Sequence, residues 1–349
     1  MKSSFTDILH QLSDRTDLSS EQARFALESI IQGELSEAEI AAFLFGMRAK
    51  GETLTEMIAF TRVMQEAAIP VEVDATGAVD VCGTGGDQSG TVNISTAVMF
   101  VVAGAGVPVL KHGNRSVSST SGSVDVLEAL GAKPLMHKEI VEECFRQTKM
   151  GFMFAPYFHP AMKHVTPVRR SMKMRTFFNM MGPLLNPAKV KRQVIGAYSV
   201  EVARMIAGIL STMEMDVVHS VHSYDGLDEL SVSSDSIVFQ VKDGEVKEFQ
   251  NVNPLHLGFT NSPLQDLTGG DAITNARLIK DLYVGRSTQG LRDVVLLNSA
   301  YAVYTAGKTN TLSDALELAK DSLFAGKALK KLNEFVLCTN DLAVSEVKQ

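Results

Sequence analysis

The segment Gly83-Thr-Gly-Gly-Asp-Gln-Ser-Gly-Thr-Val-Asn-Ile-Ser-Thr96 constrains this chain more than any other. The β-like run Val79-Asp-Val-Cys82 precedes it, and an apolar helical stretch follows it. A strand, a glycine-rich loop and a helix, in that order, belong to an α/β sheet. Glycines let the backbone approach an anion closely, and successive amides can form a nest around a diphosphate. Asn93, Ser95 and Thr96 fall where the helix begins, where unpaired amides and the helix dipole favour negative charge. The loop matches neither the Walker pattern nor GxGxxG. Taken alone it also reads as a tight turn before a capped helix.

The same alternation recurs. Val107-Pro-Val-Leu110 runs into Lys111, and later come Gln193-Val-Ile-Gly-Ala-Tyr198 and Val217-Val-His-Ser-Val-His222. These runs predict a mainly parallel sheet with its ligands beyond the carboxyl ends of the strands. The first seventy or so residues read differently. Phe5, Ile8, Leu9 and Leu12 repeat at helical spacing. Ser19-Ser-Glu-Gln22 and Ser36-Glu-Ala-Glu39 look like capped helix starts, and the second leads into the apolar face Ile40, Phe43, Leu44 and Met47. Gly51 is expected to end that helix, and Thr53 or Thr55 to cap the next, which runs to Pro70. Asn275 to Leu332 again reads as helical, punctuated by Gly285, Gly290 and Gly307.

With 349 residues, 45% of them hydrophobic and 21% charged, the chain has material for a sizeable core. Its net charge of -7 weighs against a protein that works by gripping nucleic acid. The three cysteines, Cys82, Cys144 and Cys338, have no metal-ligand spacing and read as buried thiols in a reducing compartment. The apolar run from Ala97 to Leu110 is broken by Gly104, Gly106 and Pro108 and is too short to span a bilayer. No signal-peptide pattern opens the sequence, so a cytoplasmic location and no membrane partner are expected.

Three further clusters carry chemistry. Lys111-His-Gly-Asn-Arg-Ser-Val-Ser-Ser119 concentrates cations, hydroxyls and amides after a short strand, as phosphate oxygens require. Ser121-Gly-Ser123 opens another helix, closed by Gly131, near the same place. In His159-Pro-Ala-Met-Lys-His-Val-Thr-Pro-Val-Arg-Arg170, Arg169 or Arg170 can hold a carboxylate through a two-pronged contact. His112, His159 and His164 read as satisfied polar residues rather than metal ligands. Asp225-Gly-Leu-Asp-Glu229 follows a strand, and its adjacent Asp228 and Glu229 suit Mg2+, which prefers carboxylate oxygens.

These loops, in this order, resemble those of the anthranilate phosphoribosyltransferases. The stretches that carry the resemblance are GTGGD (83–87), NIST (93–96), KHGNRSVSS (111–119), GSVDVLEALG (122–131), HPAMK (159–163), RTFFNMMGPLLNP (175–187) and GLDE (226–229). GTGGD is shared with pyrimidine nucleoside phosphorylases; the remainder is more specific. The resemblance implies a small N-terminal helical domain and a larger α/β domain with a mainly parallel central sheet, of the nucleoside phosphorylase/phosphoribosyltransferase type. The expected boundaries are 1–72, with a return contribution from about 165–190, and 73–349. It implies transfer of the phosphoribosyl group of 5-phosphoribosyl 1-diphosphate (PRPP) to the anthranilate amine in tryptophan biosynthesis, and a homodimer joined through the helical domain.

By residue matching, PRPP is expected on Gly83, Gly86, Asp87, Thr91, Asn93, Ile94, Ser95, Thr96, Lys111, His112, Gly113, Asn114, Arg115, Ser116, Val117, Ser118, Ser119 and Ser123. Anthranilate is expected on Gly83, Asn114 and Arg169. Two Mg2+ ions are expected on Ser95, Asp228 and Glu229. No residue is assigned as a general base, and Lys111 has an electrostatic role. Two departures stand out: Lys173 occupies the place of the glycine in the family's usual LGxRT, and Ser223 the place of the glycine in HGxDGLDE. The alternatives are a pyrimidine nucleoside phosphorylase and a non-enzymatic nucleic-acid-binding relative.

Overall fold

The computed structural model describes residues 4–87, 89–115 and 121–346. Its first helices are α1 (Phe5–Ser13), α2 (Ser20–Gln32), α3 (Glu37–Lys50) and α4 (Leu54–Glu66). Each opens on a reciprocal cap: Ser4 with Asp7, Ser19 with Gln22, Ser36 with Glu39, and Thr53 with Glu56. The hydroxyl takes an otherwise orphaned amide while the acid or amide side chain reaches back to the cap residue's own amide. Thr53, not Thr55, caps α4, and that helix ends at Glu66, with Ala67 as its C-cap, short of Pro70. Gly51 follows α3 at φ 91°, where a side chain would be strained.

Then the chain alternates: β1 (Asp80–Gly83), α5 (Ile94–Gly104), β2 (Val109–Gly113), α6 (Ser123–Leu130), α7 (Lys138–Thr148) and β3 (Met150–Phe154). Short helices α8 (Ala155–Phe158), α9 (Thr166–Met172) and α10 (Phe178–Met181) carry the chain back to the helical unit. There follow β4 (Arg192–Gly196), α11 (Val200–Ser211), β5 (Val217–Ser223), β6 (Ser236–Lys242) and β7 (Glu245–Val252). The chain finishes in α12 (Ala272–Tyr283), α13 (Gln289–Thr305), α14 (Leu312–Phe324) and α15 (Lys327–Glu346). Gly290 lies in the first turn of α13 rather than between helices, and a Cβ there would sit 2.7 Å from the Cβ of Asp266, so the glycine serves close packing.

The main sheet has the order β1-β4-β5-β6-β7. Its β1/β4 and β4/β5 pairings are parallel, and β5/β6 and β6/β7 antiparallel. The parallel pair β2-β3 continues it, joined beside β1 by a Val79–Val109 bridge. The sheet is therefore mixed, with its parallel strands on the side that carries the ligand-type loops.

Two apolar clusters cover its faces. One gathers α5, α13 and the C-terminal helices around β1 to β3. The other joins α1 to α4 with Val165, Val168, Phe177 and Phe178, and continues onto α11 and one face of β4 to β6. Phe60 and Phe177 stack at 4.5 Å and Phe43 meets both edge-on. Each such fully buried ring contributes roughly 1.5–3 kcal/mol relative to exposure. The chain segment 165–185 is thus bound into the helical unit while its neighbours in sequence line the sheet.

Candidate active site

Parallel strands direct their carboxyl ends to one edge, and four loops meet there: those after β1, β2, β4 and β5. The closest approach is between glycines and the acidic turn. Gly83 and Gly196 are paired across β1 and β4. A Cβ on Gly83 would lie 2.7 Å from Asp228 Oδ2, and one on Gly196 would lie 1.4 Å from the Asp228 carbonyl oxygen. The turn 224–230 fits against the sheet only because both positions lack a side chain. The Gly85 amide donates to Asp228 Oδ2 at 2.8 Å. Gly85 and Gly86 stand at φ 64° and 78°, consecutive left-handed positions that only glycine adopts without strain. Gly196 was not among the sequence-derived site residues. Its signal, a glycine ending a buried strand, was present but not distinctive.

Asp87, Asp228 and Glu229 converge, with one carboxylate oxygen of each within 4.8 Å of the others. Burial pushes Asp228 up to about 6, and the Asp87 charge adds to it. Burial raises Glu229 well above the usual carboxylate range, with Asp228 and Asp87 reinforcing it and Lys111 opposing. Asp87 Oδ2 and Glu229 Oε2 are buried without a hydrogen-bond partner. Three oxygen ligands, mutual repulsion and two orphaned acceptors fit a hard divalent cation. Ser95 lines the same cavity as Asp228 and Glu229, with its hydroxyl 3.2 Å from Lys111 Nζ. Lys111 is itself buried and donates to the Val81 carbonyl.

Asn93 stands at the N-cap of α5 but makes no capping bond. Its side chain instead donates to the Ser121 carbonyl at 3.1 Å and accepts from Asn275 at 2.8 Å. The first turn of α5, with Ile94, Ser95 and Thr96, therefore faces the site without a side-chain cap, as anion binding requires. Thr91 pairs with Thr268 in an isolated bridge. Across β2, a Cβ on Gly113 would meet Ser123 Oγ at 2.5 Å, and Ser123 donates to the Asn114 carbonyl at 3.2 Å. Arg115 is turned to Asp125 and Glu128 of α6, so its guanidinium is engaged on the protein here. Ser116, Val117, Ser118 and Ser119 lie outside the described residues.

Arg169 is half-buried on α9 and Arg170 exposed. The Arg169 guanidinium lies 5.3 Å from the Phe178 ring centroid, and burial lowers its pKa. Among the described residues no carboxylate pairs with it. An unpaired, partly desolvated guanidinium favours an incoming carboxylate. His112 and His159 are buried with rings 5.1 Å apart, and burial lowers them to about 3 and about 4. Both are neutral near pH 7. Arg175, also absent from the sequence-derived set, reaches the Gly86 carbonyl and lies 4.4 Å over the Tyr198 ring.

The chain matches the glycosyl transferase family helical bundle domain over residues 6–68 and the glycosyl transferase family a/b domain over residues 75–329. It is 43% identical to the anthranilate phosphoribosyltransferase of Salinibacter ruber over 329 residues, covering 93% of this chain and 96% of that protein. The chain belongs to the anthranilate phosphoribosyltransferase family. The Pelotomaculum thermopropionicum member is 44% identical over 94% of this chain and 95% of its own length. The crystal structure of the Thermus thermophilus anthranilate phosphoribosyltransferase superposes with a TM-score of 0.87 at 36% identity, covering 96% of this chain and 99% of that one. The fold is also that of the Saccharomyces cerevisiae enzyme in complex with PRPP and Mg, at 24% identity and TM-score 0.87. As in the family, a small helical unit precedes a larger α/β unit, and the chain is a pentosyltransferase.

Proposed function

We propose that this chain transfers the phosphoribosyl group of PRPP to the amine of anthranilate, giving N-(5-phosphoribosyl)anthranilate and diphosphate. The observation that carries the reading is the convergence of Asp87, Asp228 and Glu229 beside the glycine loop, with two buried carboxylate oxygens unpartnered. A phosphorolysis site for inorganic phosphate has no need of such an acidic cluster; a diphosphate bound with its cation does.

Asp228, Glu229 and Ser95 hold Mg2+, in two ions, with Asp87 close enough to share in the set. Bound Mg2+ offsets the charge that grows on the departing diphosphate. The amides of Gly83 to Asp87, the open first turn of α5 from Asn93 to Thr96, and the loop from Lys111 to Ser119 with Ser123 surround PRPP. Lys111 adds a fixed positive charge inside the site. Arg169 takes the anthranilate carboxylate, and Gly83 and Asn114 pack against that substrate. An aromatic amine is already a nucleophile, so positioning and electrostatics supply most of the acceleration and no strong base is required. The neutral, buried His112 and His159 accord with that.

The division into 1–72, completed by 165–190, and 73–349 is supported by the packing of α1 to α4 with Val165, Val168, Phe177 and Phe178 in one apolar cluster, which also reaches α11 and one face of β4 to β6. Homodimerisation through the helical unit is supported by Phe25 on α2 and Phe45 on α3, exposed at 39% and 59%. A cytoplasmic location agrees with the chemistry of the substrates, and no described helix is long and apolar enough to cross a membrane. The test is product analysis by mass spectrometry. Purified protein is given PRPP with anthranilate in one reaction, and uridine or thymidine with inorganic phosphate in another. Phosphoribosylanthranilate in the first and no free base in the second supports the reading; the reverse sinks it.

A further inference from the structure

Ser223 ends β5, where the acidic turn begins, and is fully buried. Its hydroxyl donates to the carbonyl of Glu229 at 2.6 Å and accepts from the Ser231 amide at 2.9 Å. It also contacts the hydroxyl of Ser236, which faces it across the antiparallel β5/β6 ladder. A serine hydroxyl has one donor and two acceptor positions, and all three are engaged here. Ser236 is likewise buried, and its oxygen is 3.2 Å from the Ser231 amide. The pair therefore grips the backbone on both sides of Leu230. Asn298 holds the same place from α13: it accepts from the Leu230 amide at 3.1 Å and donates to the Leu230 carbonyl at 2.8 Å.

These contacts bear unequally on the two acids. Asp228 is fixed through its own carboxylate by the Gly85 amide. The Glu229 carboxyl lies against that of Asp228 and its Oε2 has no hydrogen-bond partner, so where that carboxyl sits depends on the backbone that carries it. The group that anchors the Glu229 carbonyl is the Ser223 hydroxyl. A glycine or alanine at 223 leaves that carbonyl unbonded in a dry interior and frees the Glu229–Leu230 peptide to turn.

We propose that Ser223 is a positioning residue for the divalent-cation site, fixing the Glu229 peptide so that its carboxylate converges with those of Asp228 and Asp87. The inference rests on reading the acidic cluster as a cation site.

The test uses the full chain and Mn2+ as the probe, with free Mn2+ followed by electron paramagnetic resonance, with and without PRPP. Ser223→Ala and Ser223→Gly are expected to weaken Mn2+ binding about tenfold, and Ser236→Ala about threefold. In activity assays the Mg2+ needed for half-maximal rate rises by a similar factor. The KM for anthranilate stays within twofold, and excess Mg2+ restores the rate. Unchanged Mn2+ affinity in folded Ser223→Ala, with only a lower melting temperature, overturns the proposal. If Ser223→Ala does not fold, unchanged affinity in Ser236→Ala overturns it. Absence of Mn2+ binding by the unmodified protein also overturns it. A protein that binds Mn2+ but fails to transfer the phosphoribosyl group contradicts the reaction assigned above, while the Mn2+ comparison still decides the role of Ser223.

Discussion

The guanidinium of Arg175 donates to the carbonyl of Gly86 and lies 4.4 Å over the ring of Tyr198. Arg175 comes from the segment bound into the helical unit; Gly86 belongs to the loop after β1, and Tyr198 follows β4. One side chain thus ties the glycine loop to the segment that packs with α1 to α4. Arg175→Ala is expected to raise the KM for PRPP about tenfold, corresponding to the ~1.5 kcal/mol typical of a hydrogen bond from a charged donor. Arg175→Lys, which keeps the charge but not the planar stack, should recover part of it. Steady-state kinetics with PRPP as the varied substrate checks both.

Lys173 has φ 51°, in the left-handed region. A Cβ in that conformation costs about 1–2 kcal/mol, a strain that glycine would not carry. Lys173→Gly should therefore stabilise the folded chain by up to about 1 kcal/mol, less than the full strain because glycine also gains freedom when unfolded. Urea denaturation with an unchanged slope would show it.

Much of this was legible in the sequence. The caps at Ser19 and Ser36, the glycine loop before α5 and the acidic turn are local signals, and each formed where its residues predicted. What escaped depended on neighbours. Met150-Gly-Phe-Met-Phe154 is buried throughout as β3 and has no alternation to betray a strand. The β6–β7 hairpin was likewise not expected. Gly196 and Arg175 matter through Asp228 and Gly86, which are distant in sequence, so no local pattern marks them. Arg115 sits in a loop that looks made for phosphate, yet turns to Asp125 and Glu128, which one sequence cannot foretell.

Gly196→Ala should do more damage than an ordinary glycine substitution. Its Cβ would fall 1.4 Å from the Asp228 carbonyl oxygen, which is backbone and must move. The acidic turn is then displaced from the glycine loop. Activity is expected to fall more than tenfold, with the Mg2+ requirement raised, in a chain that circular dichroism shows to be folded.

Asp228 provides a pH test. Burial raises its pKa from 3.8 to about 6. The folded, metal-free chain therefore binds this proton more tightly than the unfolded chain. The resulting stabilisation is complete below pH 4 and is lost as pH rises through about 6. Asp228→Asn, which cannot ionise, should be more stable than the unmodified chain in EDTA at pH 7.5, by on the order of 1–3 kcal/mol. It should also lose most of its transferase activity. Thermal melts in EDTA across pH 4 to 8 measure the first effect, and rates with Mg2+ the second.

Asp228→Ala or Glu229→Ala should lower turnover more than His112→Ala, because the acids hold the cation and the neutral His112 carries no charge into the site. Comparable loss in His112→Ala, with Mn2+ binding intact, would count against an electrostatic account.

The most direct measurement follows the fluorescence of anthranilate mixed with purified protein, PRPP and Mg2+, with EDTA as the control. The account predicts a decay that requires every component and stops when EDTA is added. A steady signal from folded protein, or a decay that EDTA leaves untouched, would contradict it.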